Sequence, residues 1–370
     1  MRKTVFRTAI AAAVAAPVAM SAPMVCADAV EDFYKGKQMR LVIHVPPGGG
    51  YDAYGRLMAR HITRHIPGGP SIIVQNMPGG GGIRAVNFVG TVAPKDGSVL
   101  TLVSQGLPMF QAMGKGSSSK TKLDTDLATF NWIGNLSDSN QTLVTWHTSK
   151  TKALKDLQTR ETIMGGTGVG SISVQLPALL NALVGAKIKI VYGYAGGAAL
   201  NLAMERGELE GRAANTWASY NATQPAWIKD KKLNFILQIG LKEEPALKGV
   251  PMLLAMGTND VDRKVLKVIC QTAAFGRPVA TSPGVPADRV AALRRAFDAT
   301  VKDSKLLAEA AKQHMEVSTM NGAEVQELVS EITSVPKPVI ARLAEAMKPV
   351  GAERAKNLPP PKKKKKKSSN

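Results

Sequence analysis

Apolar positions along this chain follow two alternating spacings. The runs Met39 to Val45, Ser71 to Gln75 and Val99 to Ser104 are short, rich in β-branched residues and bounded by Gly or Pro, so they read as strands. Between them the spacing becomes helical, with Leu57, Met58, Ile62 and Ile66 after the first run and Val86 and Val89 after the second. The first strand ends in Pro46-Pro47-Gly48-Gly49-Gly50, and Asp52 stands where it would cap the following helix. The second ends in Asn76-Met77-Pro78 and Gly79 to Gly82, and Pro94-Lys95-Asp96-Gly97 turns the chain into the third. Strand, glycine loop and helix in repetition predict an α/β domain with parallel strands.

The same pattern returns further on. After a Ser- and Lys-rich stretch, Gly114 to Asp126, strands are expected at Trp132 to Gly134 and Thr142 to Trp146, with a helix at Ala153 to Leu157. Thr162-Ile163-Met164 leads into Gly165 to Ser171 and a helix carrying Val174, Leu176, Leu179, Leu180 and Leu183. A strand at Lys187 to Val191, a helix at Ala198 to Arg206 and a strand at Leu233 to Gly240 complete a second α/β layer. Beyond Val261 the spacing is mostly helical, with Val268 to Phe275 expected as a strand crossing back to the first domain. Helices are expected after Pro286, after Ser304 and after Asn321, the last two residues as caps, and Pro336 and Pro338 break the third.

Composition adds a compartment. Arg2, Lys3 and Arg7, an apolar stretch from Ala9 to Met20 and small residues ending at Ala27 form an export signal, with cleavage expected after Ala27. Bulky Val25 disfavours lipid attachment at Cys26. Only Cys270 then remains, in an apolar run, which reads as a buried hydrophobe rather than a catalytic thiol. Setting aside the three leader cations and Lys362 to Lys367 lowers the net charge from +20 to +11, still basic enough to favour anionic ligands or surfaces, nucleic acid among them. His61 and His65 stand at i, i+4 spacing without a third ligand, which favours a solvated helix face over zinc.

A helix N-terminus presents unpaired N–H groups and a partial positive charge, so glycine loops entering helices can hold an anion at close range. Two such loops, Gly48 to Asp52 and Gly168 to Ser171, could face each other across a cleft and hold a dicarboxylate from both sides. Neither is a nucleotide loop: Lys-Ser or Lys-Thr does not follow the first, and the second lacks the order of a dinucleotide fingerprint. No Gly-x-Ser-x-Gly elbow or carboxylate pair suggests catalysis.

The motifs Val45-Pro46-Pro47-Gly48-Gly49-Gly50-Tyr51-Asp52, Gln75 to Gly82, Ala93 to Gly97, Gly168 to Ser171, Tyr194-Ala195-Gly196-Gly197, Arg206 to Glu210, Gly249 to Leu253 and Ser282 to Pro286 resemble the Bug-type substrate-binding proteins of tripartite tricarboxylate transporters. The similarity spans about residues 35 to 345. It implies an α/β, two-domain periplasmic binding protein-like fold of type II, hinged around a central ligand cleft. On that reading residues 1–27 are the signal peptide, 28–138 and 265–350 the two parts of domain 1, 139–264 domain 2, and 351–370 a disordered basic tail. It further implies a periplasmic, monomeric receptor that passes a small organic carboxylate to permease subunits, with no enzymatic activity, cofactor, metal or specific nucleic acid.

Carried over by motif, Pro47, Gly48, Gly49, Tyr51, Asp52, Gly168, Val169, Gly170 and Ser171 contact the ligand. Tyr194, Asn215 and Trp217 line the cleft, and Ser104 and Gln105 are further candidates. Many members carry a small hydroxyl residue where this chain has Tyr51, and a His where it has Val174. The tyrosine tilts the expected ligand toward a bulkier or partly aromatic acid. A scaffold protein using its basic surface and lysine tail on cell-wall or membrane anions is the competing reading, and an enzyme acting on an organic acid a third.

Overall fold

The computed structural model describes residues 24–114, 123–138, 140–168, 171–348 and 351–355. Residues 1–23 of the expected 27-residue leader and the lysine run lie outside the described residues, as do Val169 and Gly170.

The chain first lays down β1 (Gln38–Ile43), β2 (Ser71–Asn76), β3 (Val99–Leu102) and β4 (Asn131–Asn135). It then builds β5 (Gln141–Trp146), β6 (Thr162–Gly166), β7 (Ile188–Tyr192), β8 (Gly211–Thr216) and β9 (Leu233–Ile239). Three later strands follow: β10 (Pro278–Thr281), β11 (Met320–Asn321) and β12 (Glu353–Arg354). They form two six-stranded sheets, ordered β11-β4-β10-β3-β1-β2 and β12-β7-β6-β8-β5-β9.

Each sheet is mixed. β1 is parallel to β2 and β3, and β6 to β7 and β8, as the crossover helices require. The remaining pairings of β4, β5, β9, β10 and β11 are antiparallel. The parallel expectation therefore holds for the strand-helix-strand units and fails where the chain crosses between sheets.

Helices cover both faces of both sheets. On the first sheet, α1 (Met24–Tyr34) and α2 (Gly50–Ile62) share one side's core, while α3 (Ile83–Thr91) and α4 (Leu107–Gly114) cover the other. On the second, α5 (Leu154–Thr159) and α6 (Ile172–Val184) pack on one face. The other face takes α7 (Gly197–Glu205), α8 (Trp217–Thr223) and α9 (Pro225–Lys229). The C-terminal helices are α10 (Asp260–Ala274), α11 (Ala287–Thr300), α12 (Ser304–Lys312), α13 (Gly322–Thr333) and α14 (Lys337–Ala346). Of these, α11 to α13 join the first sheet's cores, whereas α10 and α14 pack with α6 on the second. The C-terminal third is thereby shared between the sheets. No helix among the described residues is long and apolar enough to cross a membrane.

Several local expectations are corrected. Val268 to Phe275 is not a strand: its residues up to Ala274 belong to α10, which Asn259 caps by accepting from the Asp262 amide. Val265, Leu266, Val268, Ile269 and Cys270 all point inward, and a short apolar run alone does not distinguish a buried helix from a strand. The returning strand is β10. Asp303, not Ser304, caps α12, whereas Asn321 caps α13 in a full capping box with Glu324.

His61 and His65 do not face solvent. The imidazole Nε2 of His61 pairs with Glu309 at 2.5 Å and that of His65 with Asp303 at 2.9 Å, so α12 covers this face of α2. Hydrogen bonds from Arg64 and then His65 hold the Asp303 carboxyl far below its ordinary range, and bonds from His61 and Arg60 lower the Glu309 carboxyl against a burial penalty. Carboxyls depressed in the folded state add stability above their unfolded values, near 4, and lose it as pH falls. Melting temperature should therefore decline below about pH 4, and Asp303→Asn with Glu309→Gln should flatten that decline in a pH series of thermal melts.

Candidate ligand cleft

The loops that follow the parallel strands open onto one cleft of about 460 Å³, between the sheets at the carboxyl ends of β1, β3, β6 and β7. Open α/β sheets place ligands at this edge, and the volume lies within the roughly 300–1,000 Å³ of small-molecule sites. His44, Gly49, Gly50, Tyr51, Gly79 to Gly81, Ser104 and Gln105 line it from the first sheet. Thr167, Ser171 to Ser173, Gly193 to Gly197, Arg212 and Ala214 to Thr216 line it from the second, and Arg277 enters from the crossing between them.

The first wall is set by Asp52, though not as a cap. Gly49 is the N-cap of α2 and has no side chain to close it, while Asp52 sits in the first turn and reaches back. Its carboxylate accepts from the Gly48 amide at 3.1 Å, from Arg56 Nε at 2.9 Å and from Asn76 Nδ2 at 2.9 Å. Asn76 Nδ2 also donates to the Val45 carbonyl, so both ends of the Pro-Gly loop are tied to one carboxylate. Burial alone would raise its pKa, but the bonds from Arg56, Asn76 and Gly48 outweigh that and lower it. Asp52→Ala removes the charged acceptor shared by Gly48, Arg56 and Asn76, and should cost about 1–3 kcal/mol and weaken ligand affinity as the loop loosens. Denaturant melts and titration calorimetry on the same variant check both.

Behind the loop, Tyr51 receives a hydrogen bond from the Gln105 amide at 3.0 Å and donates to Gln105 Oε1 at 3.3 Å. Its ring meets His44 edge-on at 4.3 Å. His44 Nδ1 donates to the Leu102 carbonyl, and burial lowers its pKa to about 4, so the imidazole is neutral at neutral pH.

Ser171 is the N-cap of α6 and accepts from the Ser173 amide at 3.2 Å, while Ser173 Oγ receives the Thr167 amide at 3.1 Å. On β8 the register against β5 shifts between Thr142 and Leu143, and Ala214 takes the left-handed backbone, φ 60°. This bulge breaks strand alternation and lets Ala214, Asn215 and Thr216 all border the cleft.

Two arginines complete the lining. Arg277 is 2% exposed; its guanidinium donates to the Gly276 carbonyl, to Thr216 Oγ1 at 3.0 Å and to Ser219 Oγ at 2.6 Å. It lies over the rings of Tyr51 and Tyr54 at 4.4 and 5.1 Å. Arg212 is 5% exposed and donates to the Gly197 carbonyl and to Asn201 Oδ1. Burial lowers its pKa from the ordinary value, and the guanidinium nevertheless stays protonated.

At the rim the two lobes approach closely at glycines. A Cβ built on Gly196, beyond β7, would stand 2.8 Å from the Pro46 ring beyond β1. One on Gly168 would meet Gly81 at 3.5 Å, and one on Gly106 would meet Ile172 at 3.4 Å.

Of the residues singled out in the sequence, the cleft brings together Gly49, Tyr51, Ser104, Gln105, Ser171, Tyr194 and Asn215. Pro47 and Gly48 lie in the loop just behind its lining, Asp52 acts through that loop, and Gly168 abuts Gly81 at the rim. Trp217 opens α8 and packs edge-on against Phe235 at 5.6 Å, with 8% exposure, outside the lining. Val169 and Gly170 are outside the described residues. Sequence reasoning passed over His44, Arg212, Arg277 and the α8 hydroxyls. The one available signal was His44, two residues before the first Pro-Gly loop; isolated arginines in a basic chain carry none.

No protein-family model matches the chain. It is 25% identical over 358 residues to a UPF0065 protein from the gbd 5′ region of Cupriavidus necator, covering 93% of this chain and 98% of that one. Protein BugT of Bordetella pertussis matches at 28% over 105 residues, 28% of this chain and 31% of BugT. Among solved structures, periplasmic binding protein BugD superposes with a TM-score of 0.63 at 18% identity, covering 86% of this chain and 99% of BugD. A Rhodopseudomonas palustris protein with adipate gives 0.63 at 18%, over 83% and 97% of the two chains. MatC of the same organism, with bound malate, gives 0.60 at 17%, over 84% and 99%. These neighbours share the two-lobed α/β binding-protein fold. The resemblance carried by the loop motifs is borne out: this chain is similar to UPF0065 and Bug proteins, to the first of them over nearly its whole length.

Proposed function

We propose that this protein is an extracytoplasmic receptor that captures a small organic carboxylate between its two lobes and delivers it to a tripartite tricarboxylate-type permease. One observation supports the reading above the others: α2 and α6, each on a different sheet, begin at the same cleft through Gly49 and Ser171. A helix start favours negative charge, and two of them on opposite walls suit an anion held by closure of the lobes. The malate and adipate of two structural neighbours fit the same ligand chemistry. Export through the N-terminal signal puts capture in the periplasm, ahead of the permease.

Calorimetric titration of the mature chain with malate, adipate, citrate and an aromatic acid tests this, with small-angle scattering to follow compaction. Saturable binding of at least one acid with a fall in radius of gyration is the expected result. Failure of the whole panel to bind would remove the reading. Deleting residues 362–370 separates it from the scaffold alternative: a receptor keeps its carboxylate affinity, whereas a surface binder loses its anionic partner.

A further inference from the structure

Arg212 and Arg277 are buried cations with no counter-ion among the described residues. No ion pair among the described residues includes either, although Arg160 pairs with Glu210 and Arg342 with Asp262. Removing a guanidinium from water without a matching negative charge is costly, and a protein that needed only hydrogen bonds there could use a neutral side chain. Each guanidinium also leaves its Nε without an acceptor, and so does Gln105 at its Nε2. All three residues line the one cleft. They are more than nine-tenths buried, and each unmet group is a donor, so what is missing is an acceptor.

The two cations stand at different places. A Cβ on Gly50, at the start of α2, would be 3.0 Å from Arg277 Nη2. One on Gly197, at the start of α7, would be 3.5 Å from Arg212 Nη1. Each guanidinium therefore adds a full charge beside a helix start that already favours an anion. Arg277 is also held between lobes, its amide on Asn135 Oδ1 of β4 and its guanidinium on Thr216 and Ser219 of the second lobe's β8 and α8.

Resting on the receptor reading above, we propose that Arg277 and Arg212 are the ligand's direct counter-ions, each pairing with one of two acidic groups, with Gln105 donating a further hydrogen bond. Recognition in this chain thus uses side-chain cations as well as backbone donors. A ligand with one acidic group leaves one arginine uncompensated. The cleft discriminates against it for that reason, whatever the length of its carbon chain.

The test uses adipate and hexanoate, of equal chain length, titrated by calorimetry into the mature wild type and into Arg212→Gln, Arg212→Lys, Arg277→Gln and Arg277→Lys, with thermal melts reporting the fold. Wild type should prefer adipate by roughly 30-fold or more, and each Gln variant should lose about that factor, the preference over hexanoate collapsing toward unity. The Lys variants should recover part of it. A purely structural role would lower affinity for both acids alike and leave their ratio intact, which overturns the proposal. Arg277→Gln removes the contact between lobes and can unfold the chain; Arg212→Gln, which makes no such bridge, then decides alone. If adipate affinity survives Arg212→Gln unchanged, the counter-ion role is wrong while the receptor reading stands. If wild type binds none of malate, citrate, adipate and an aromatic acid, the receptor reading falls first and the arginine roles with it.

Discussion

Replacing Gly196 with leucine is expected to weaken carboxylate binding by roughly a hundred-fold with little change in melting temperature. The backbone at Gly196, φ 176° and ψ −170°, is extended and open to any residue, so the substitution introduces no local strain. Its side chain instead points at the Pro46 ring of the other lobe, 2.8 Å from where the Cβ would lie. Overpacking of this kind costs about 1–3 kcal/mol, and the upper end of that range reduces the closed population to about one part in a hundred. Apparent affinity falls by the same factor, because only the closed arrangement brings both helix starts to the ligand. Titration calorimetry measures the loss, and scattering should show that ligand no longer compacts the variant. Wild-type affinity in Gly196→Leu would mean that the rim contact is not needed for capture.

Trp132→Ala should produce the largest stability loss, about 3–5 kcal/mol. Trp132 is fully buried in β4, meets Phe275 edge-on at 5.0 Å and donates from its indole nitrogen to the Leu127 carbonyl at 3.1 Å. It joins β4 to the strands and helices on the face of the first sheet covered by α3, α4 and α13. Truncation removes the ring from a close-packed layer and leaves that carbonyl only the Phe130 amide as donor. Denaturant unfolding measures the change; a loss below about 1 kcal/mol would show that this layer collapses around the gap.

The strand-loop-helix units were legible because periodicity and glycine punctuation agree in them: β1 to α2 and β6 to α6 appear close to where the residues place them. Both loop motifs also lead to the cleft. What escaped depends on distant parts of the chain. Val268 to Phe275 carries too few residues to separate helix from strand, and only packing against α14 and α6 resolves it. Asp52 looked like a cap because it precedes the apolar face; Gly49 takes that place, and Asn76 with Arg56 draws the carboxylate toward the loop. The bulge at Ala214 depends on β5 lying alongside, and the arginines reach the cleft only through the crossing strand and the start of α7. Composition read the basic excess as favouring anionic ligands or surfaces without saying which cations are interior, as Arg212 and Arg277 are.

The meeting of Gly196 with Pro46, and of Gly168 with Gly81, has a practical consequence. The lips of the cleft seal through main chain and a proline ring, while the chamber behind them is shaped by Tyr51, Ser104, Gln105 and Asn215. On the receptor reading, the rim contact and the shape of the chamber are set largely by different residues, with Arg277 serving both. On that same reading, a library confined to Tyr51, Ser104, Gln105 and Asn215 would retune selectivity and leave the Gly196–Pro46 approach intact, which would suit this scaffold to engineered sensors for other organic acids.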